Sequence, residues 1–107
     1  MYPRNTQKRI SHRQAWAMMR SHEAKCTILD VRSLGEYRTG HIQGALNMPD
    51  SEIENRAPMM LLDKHAPILV YCKGGTRSKK AASSLASLGY TNVYDIGGIN
   101  SWPYELV

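Results

Sequence analysis

Cys72 is followed at once by Lys73, Gly74, Gly75, Thr76, Arg77 and Ser78, which places a thiol, two glycines, two cations and two hydroxyls in one short run. Upstream, Ile68-Leu69-Val70-Tyr71 is short, apolar and preceded by Pro67, the pattern of a buried strand. Downstream, Ala81, Ala82, Leu85 and Leu88 recur at helical spacing, and Gly89 stands where a left-handed cap closes a helix. The periodicity predicts a helix opening at Ser78. The thiol is therefore expected at the carboxyl end of a strand, facing a helix amino terminus. Free backbone N–H groups and the helix dipole stabilise an anion there. Such a place favours thiolate, the nucleophilic form of cysteine. Gly74 and Gly75 admit backbone conformations closed to other residues, so successive N–H groups can turn inward as an anion nest. The expected chemistry is nucleophilic attack by Cys72.

Cys26 makes the contrast. It leads into Thr27-Ile28-Leu29 with no glycine loop behind it, as a packing cysteine does. His12, His22 and His65 have no ligand spacing with either cysteine, so no metal site is expected. Two cysteines make no disulfide framework, which suits a reducing compartment, and the expected location is the cytoplasm.

The remaining chain must position that loop. Its 107 residues suit one domain spanning 1–107, with an ordinary globular composition of 42% hydrophobic and 21% charged residues. The longest apolar runs are far too short to span a bilayer, and Met1-Tyr2-Pro3-Arg4-Asn5 opens no signal peptide. The net charge is +5, concentrated at the amino-terminal end, where Arg4, Lys8, Arg9, Arg13 and Arg20 occur with no acid among residues 1–22. No nucleic-acid motif accompanies these residues, so a solvated basic face is expected.

Ser11 with Gln14 forms a capping box for a helix to about Met19, with Ala15, Met18, Met19 and His22 facing the core. A strand is expected at 27–31 and a helical turn at 35–39. Ser51 with Glu54 offers a second capping box, in a helix that Pro58 should break or restart. A further strand follows near 93–96, then a turn after Gly97-Gly98. Strands alternating with helices imply a mainly parallel sheet covered on both faces, an α/β architecture that binds ligands at its strands' carboxyl ends.

With these residues placed, the chain resembles the rhodanese (sulfurtransferase) domain family over nearly its whole length. Leu29-Asp30-Val31-Arg32, Glu36-Tyr37, Gly40-His41-Ile42-Gln43-Gly44-Ala45 and Asn47-Met48-Pro49 are similar to its amino-terminal signature. Cys72 to Ser78 resembles its active-site loop in the C-x-x-G-x-R-S form, and Gly97-Gly98-Ile99-Asn100-Ser101-Trp102 its closing signature. The resemblance implies a three-layer α/β/α fold on a five-stranded sheet. It implies that Cys72 carries a persulfide and draws sulfur from thiosulfate or a related anionic donor. A thiol or sulfur-carrier protein is the implied acceptor, with no cofactor, no nucleic acid and no membrane; monomer is the default.

Within that frame the backbone amides from Lys73 through Ser78 are expected to cradle the outer sulfur. Arg77 has two open roles, gripping an anionic donor or bracing the loop through a carboxylate. Asp30 and Arg32 are expected to support the loop, as a pair or by holding it directly. His41 is read as a structural hydrogen-bonding residue, and Trp102 as a core or lid aromatic. Two rival readings stand beside the enzyme. One is a sulfur-relay or regulatory binding module of the same fold. The other is a cysteine phosphatase or arsenate reductase, whose loops place five residues between cysteine and arginine where this chain has four.

Overall fold

The computed structural model describes residues 7–21 and 25–107; Arg4 and His22 lie outside them. The elements run β1 (Gln7–Arg9), α1 (His12–Arg20), β2 (Thr27–Asp30), α2 (Leu34–Arg38), β3 (Leu46–Asn47), α3 (Ile53–Met60), β4 (Ile68–Cys72), α4 (Thr76–Ser87) and β5 (Val93–Gly98). Single 3₁₀ turns at Asp50–Glu52 and Ile99–Ser101 complete the chain. The strands form one sheet in the order β1-β5-β4-β2-β3, and every neighbouring pair is parallel. This is the expected α/β architecture.

Side-chain alternation along β4 feeds two cores. Ile68, Val70 and Cys72 face one layer with Ile53 and Ala57 of α3 and Ala81, Ala82 and Leu85 of α4. Leu69 and Tyr71 face the other, with Ala15 of α1, Ile96 and Trp102. A strand buried on both faces must be apolar throughout, which is why Ile68–Cys72 reads as a continuous run. Trp102 is a core aromatic, packed edge-on against His12, Trp16 and Tyr104.

Local chemistry explains most boundaries. Ser11 accepts the Gln14 N–H, and the Gln14 side chain accepts the Ser11 N–H, as the capping box requires. Gly89 is left-handed at φ +98° behind α4, where a side chain would be strained. Three boundaries differ from expectation. α4 opens at Thr76 rather than Ser78, because Gly75 at φ +108° turns the chain directly into the helix. Ser51 does not cap α3: Asp50–Glu52 is already coiled as a 3₁₀ turn, whereas an N-cap needs an extended backbone. Pro58 sits inside α3 without breaking it. It lies on the exposed face of the helix, which ends two residues later at Met60. β1 is an addition, a polar edge strand with no alternating pattern.

Between β4 and β5 the register slips: Val70 pairs with Asp95 but Tyr71 with Gly97. The resulting bulge places Gly97, at φ +82°, and Gly98 beside the end of β4. A buried charge network ties β2 to the same end. Asp30, fully buried, accepts from Arg32 Nη2 at 2.6 Å, from Arg32 N–H at 2.9 Å and from the Tyr71 hydroxyl at 2.7 Å. Arg32 Nη2 also donates to the Gly40 carbonyl at 2.6 Å, and Tyr71 Oη accepts the Ile42 N–H at 3.1 Å. Three separate segments thereby share one hydrogen-bonded knot. Asp30→Ala leaves a buried guanidinium unpaired and is expected to cost about 3–5 kcal/mol, read as a lower urea midpoint.

Candidate active site

Cys72 is the last residue of β4 and only 1% exposed. Its Sγ accepts a hydrogen bond from the Gly75 N–H at 3.0 Å. The helical ladder of α4 begins with Lys79 N–H to the Gly75 carbonyl, so the Thr76, Arg77 and Ser78 amides have no acceptor within the helix. The thiol and a set of free donors thus occupy one helix amino terminus. Lys73 and Gly74 are exposed on the outer turn.

The turn is held from several sides. Asn100 N–H donates to the Lys73 carbonyl at 3.1 Å. Ser78, fully buried, donates from its hydroxyl to the Gly75 carbonyl at 3.1 Å, with the Gly97 carbonyl at 3.4 Å. Gly98 lies against the turn so closely that a Cβ on it would fall 2.8 Å from Gly74 Cα. Neither backbone can yield cheaply, which makes glycine obligatory at 98.

Arg77 grips Glu36 in a two-pronged pair, Nη1 to Oε1 at 2.6 Å and Nη2 to Oε2 at 2.9 Å. Of its two open roles, the structure shows the bracing one. Glu36 is itself fixed as the N3 residue of the α2 capping box, accepting from Ser33 N–H at 3.1 Å. Hydrogen bonding from Arg77, above all, pulls the Glu36 carboxyl down from 4.5 to about 2. The same contact raises the Arg77 guanidinium above its ordinary value. This partner was missed in the sequence; the capping-box spacing of Ser33 and Glu36 was the available signal.

Asp30 and Arg32 pair with each other and reach the loop indirectly, through Tyr71. His41 Nδ1 lies 2.9 Å from the Tyr37 carbonyl and its ring stacks on Tyr37 at 3.7 Å, a packing arrangement. Cys26 stands before β2, at the opposite end of the parallel sheet from Cys72. It is half-buried, burial raises its thiol above the ordinary value, and its Sγ faces the Met18 carbonyl at 3.8 Å. Two clefts flank Lys73: one of about 380 Å³ with Arg32, Glu36, Ile99 and Leu106, the other of about 520 Å³ with Arg9, His12 and Asn100. Cys72 is not among the lining residues of either, and its side chain is buried beneath the loop. Among the described residues no three His, Cys, Asp or Glu side chains cluster as metal ligands, and no helix is long and apolar enough to cross a membrane.

Residues 11–104 match the model of the rhodanese-like domain. The chain belongs to the rhodanese-like domain family. It is 38% identical over 71 residues to the thiosulfate sulfurtransferase PspE of Escherichia coli, covering 66% of this chain and 68% of that one. It is 34% identical over 96 residues to the thiosulfate sulfurtransferase GlpE of Coxiella burnetii, covering 89% and 86%. Among solved structures, an Escherichia coli rhodanese with anions superposes with a TM-score of 0.73 at 34% identity, over 78% of this chain and 98% of that one. This rhodanese-like chain therefore has the fold and ancestry of a transferase family.

Two outcomes test the loop's mechanics. Gly98→Ala overpacks the turn and is expected to cost about 1–3 kcal/mol of stability, measured by urea denaturation. The Glu36 carboxyl is lowered on folding, so its contribution is complete above the unfolded value and fades as pH falls from 4.5 towards about 2. Wild type is expected to lose more stability than Glu36→Gln across that interval; parallel urea midpoints in the two proteins would remove the pair's contribution.

Proposed function

We propose that this chain is a sulfurtransferase that carries sulfane sulfur on Cys72, taking it from thiosulfate or a related persulfide donor. The observation that carries this reading is the Gly75 N–H directed at Cys72 Sγ from a helix amino terminus. An amide so placed stabilises negative charge on sulfur, and the free Thr76, Arg77 and Ser78 amides offer the same to a second sulfur atom. The thiolate of Cys72 attacks the outer sulfur of thiosulfate. A Cys72 S–S bond forms, the donor's S–S bond breaks, and sulfite departs with the electron pair. An acceptor thiol then attacks the outer sulfur of the Cys72 persulfide, its own proton passing to the transferred sulfur as the Cys72 S–S bond breaks. The acceptor leaves as a persulfide and Cys72 returns as thiolate. The cycle is covalent and two-step, with ping-pong kinetics as its signature.

Burial of Cys72 favours a donor with a projecting terminal sulfur over a bulky ester. Thiosulfate sulfurtransferase relatives and the anion-containing rhodanese structure support the same donor class. Arg77, engaged by Glu36, acts as a brace, which leaves Lys73 as the loop cation that meets the donor's charge. A phosphatase needs its loop arginine on the phosphate; the Glu36 pair and the shorter loop both oppose that. A relay to a protein acceptor uses the same Cys72 chemistry and differs only in the second substrate.

Intact mass after thiosulfate treatment is expected to show one added sulfur that cyanide removes. Cys72→Ser is expected to lower transfer at least about 1000-fold, while Cys26→Ser stays within about twofold. Equal loss from both variants, or no added sulfur on wild type, overturns the assignment.

A further inference from the structure

Three clefts lie along the rim beside the Cys72 loop and share their lining residues. The outermost is lined by Lys8, Arg9 and Lys79. The middle one, about 520 Å³, is lined by Arg9, His12 and Lys73. The innermost contains Lys73 and Glu36. Arg9 belongs to the first two and Lys73 to the last two, so the three adjoin as one groove that reaches Lys73, the residue after Cys72.

The acids of this groove are already engaged. Asp95 is buried, accepts the Gly97 N–H at 2.9 Å and faces Arg9 at 3.7 Å. Glu36 is held by both prongs of Arg77. Lys8, Lys73 and Lys79 are exposed and have no ion-pair partner among the described residues. Arg9 keeps most of its side chain in solvent. A line of unneutralised cations leading to a reacting sulfur concentrates negative partners at that sulfur. Of the basic amino-terminal residues that composition alone assigns to a solvated face, Lys8 and Arg9 line these clefts.

We propose that this groove docks an acidic polypeptide segment of the thiol protein that accepts sulfur from Cys72. The proposal rests on the sulfur-transfer reading of Cys72 and adds the identity of the second substrate. The cations Lys8, Lys79, Arg9 and Lys73 are divided among three adjoining clefts rather than gathered in one. Among the described residues the one aromatic ring lining the three clefts is His12, turned edge-on to Trp102, so they lack the run of stacking faces along which a single-stranded nucleic acid lies. An acidic chain needs only the charges. Once seated, the acceptor's thiol attacks the outer sulfur of the Cys72 persulfide; the new S–S bond forms on the acceptor as the Cys72 S–S bond breaks.

The test uses the full chain, with sulfur loading from thiosulfate first confirmed by intact mass. Two synthetic peptides, each with one cysteine flanked either by glutamates or by glutamines, then serve as acceptors. The glutamate peptide is expected to take sulfur about tenfold faster at low salt, with the two rates converging as salt rises. The double variant Lys8→Gln/Lys79→Gln is expected to lose about fivefold of that preference while its loading by thiosulfate is unchanged. Equal rates for the two peptides, or a preference undiminished in the double variant, overturns the proposal. So does a uridine oligonucleotide that displaces a fluorescent glutamate peptide more strongly than polyglutamate does. If wild type fails to load, the sulfur-transfer reading falls by itself. Fluorescence anisotropy of the two peptides still decides the docking: selective binding of the glutamate peptide upholds it and equal binding overturns it.

Discussion

The chain has three residues, Lys73 to Gly75, in which to leave a buried strand and enter a helix, and the surroundings of Cys72 follow from that shortness. A turn so tight needs the left-handed Gly75, and Gly75 in turn aims its N–H at the sulfur. It also drives the loop backbone onto β5, where only a residue without a side chain fits. The bulge in β5 supplies that residue by bringing Gly97 and Gly98 alongside the end of β4. The Gly75 N–H at the Cys72 sulfur is thus a by-product of steric necessity in two strands. The glycines of the loop and of the closing segment act as one unit, although they are far apart in sequence.

Charge is distributed by the same economy. Two arginines lie near the loop, and each is held by a carboxylate: Arg32 by buried Asp30 and Arg77 by half-exposed Glu36. Both therefore act as struts more than as sources of positive field. Asp30 reaches the loop through the Tyr71 hydroxyl, one residue before the thiol, while Glu36 fastens α2 to the first turn of α4. On the proposed mechanism the field at the sulfur comes from oriented backbone amides, which carry no counter-ion and would need no rearrangement as charge moves to a second sulfur atom. Lys73, exposed at the lip, adds a positive charge that salt can screen.

The parts of this arrangement visible in the sequence are those written in local chemistry. β4 announces itself through an unbroken apolar run, and α1 through Ser11 and Gln14. Cys72 stood out because glycines and cations follow it directly. The Arg77–Glu36 pair was not visible, since it joins residues in different elements and only the folded sheet brings them together. β1 was missed because an edge strand with Gln7, Lys8 and Arg9 buries little and so leaves no hydrophobic period. Pro58 misled because the rule against proline inside helices assumes a hydrogen bond worth keeping, and on an exposed face near the helix end that cost is small. The helix start was misplaced by two residues because apolar periodicity marks buried positions, whereas Gly75 sets where coiling begins.

The sheet order has a consequence for how the protein comes into being. The first strand pairs with the last, and the loop that follows β4 rests on a glycine of β5. The turn after Cys72 therefore has its braces only once the carboxyl-terminal strand has docked. On the sulfur-transfer reading, the surroundings proposed to serve Cys72 are complete only when β5 is in place. The loop's framework is thus non-local, with Gly97, Gly98 and Asn100 reaching it from well beyond it in the chain.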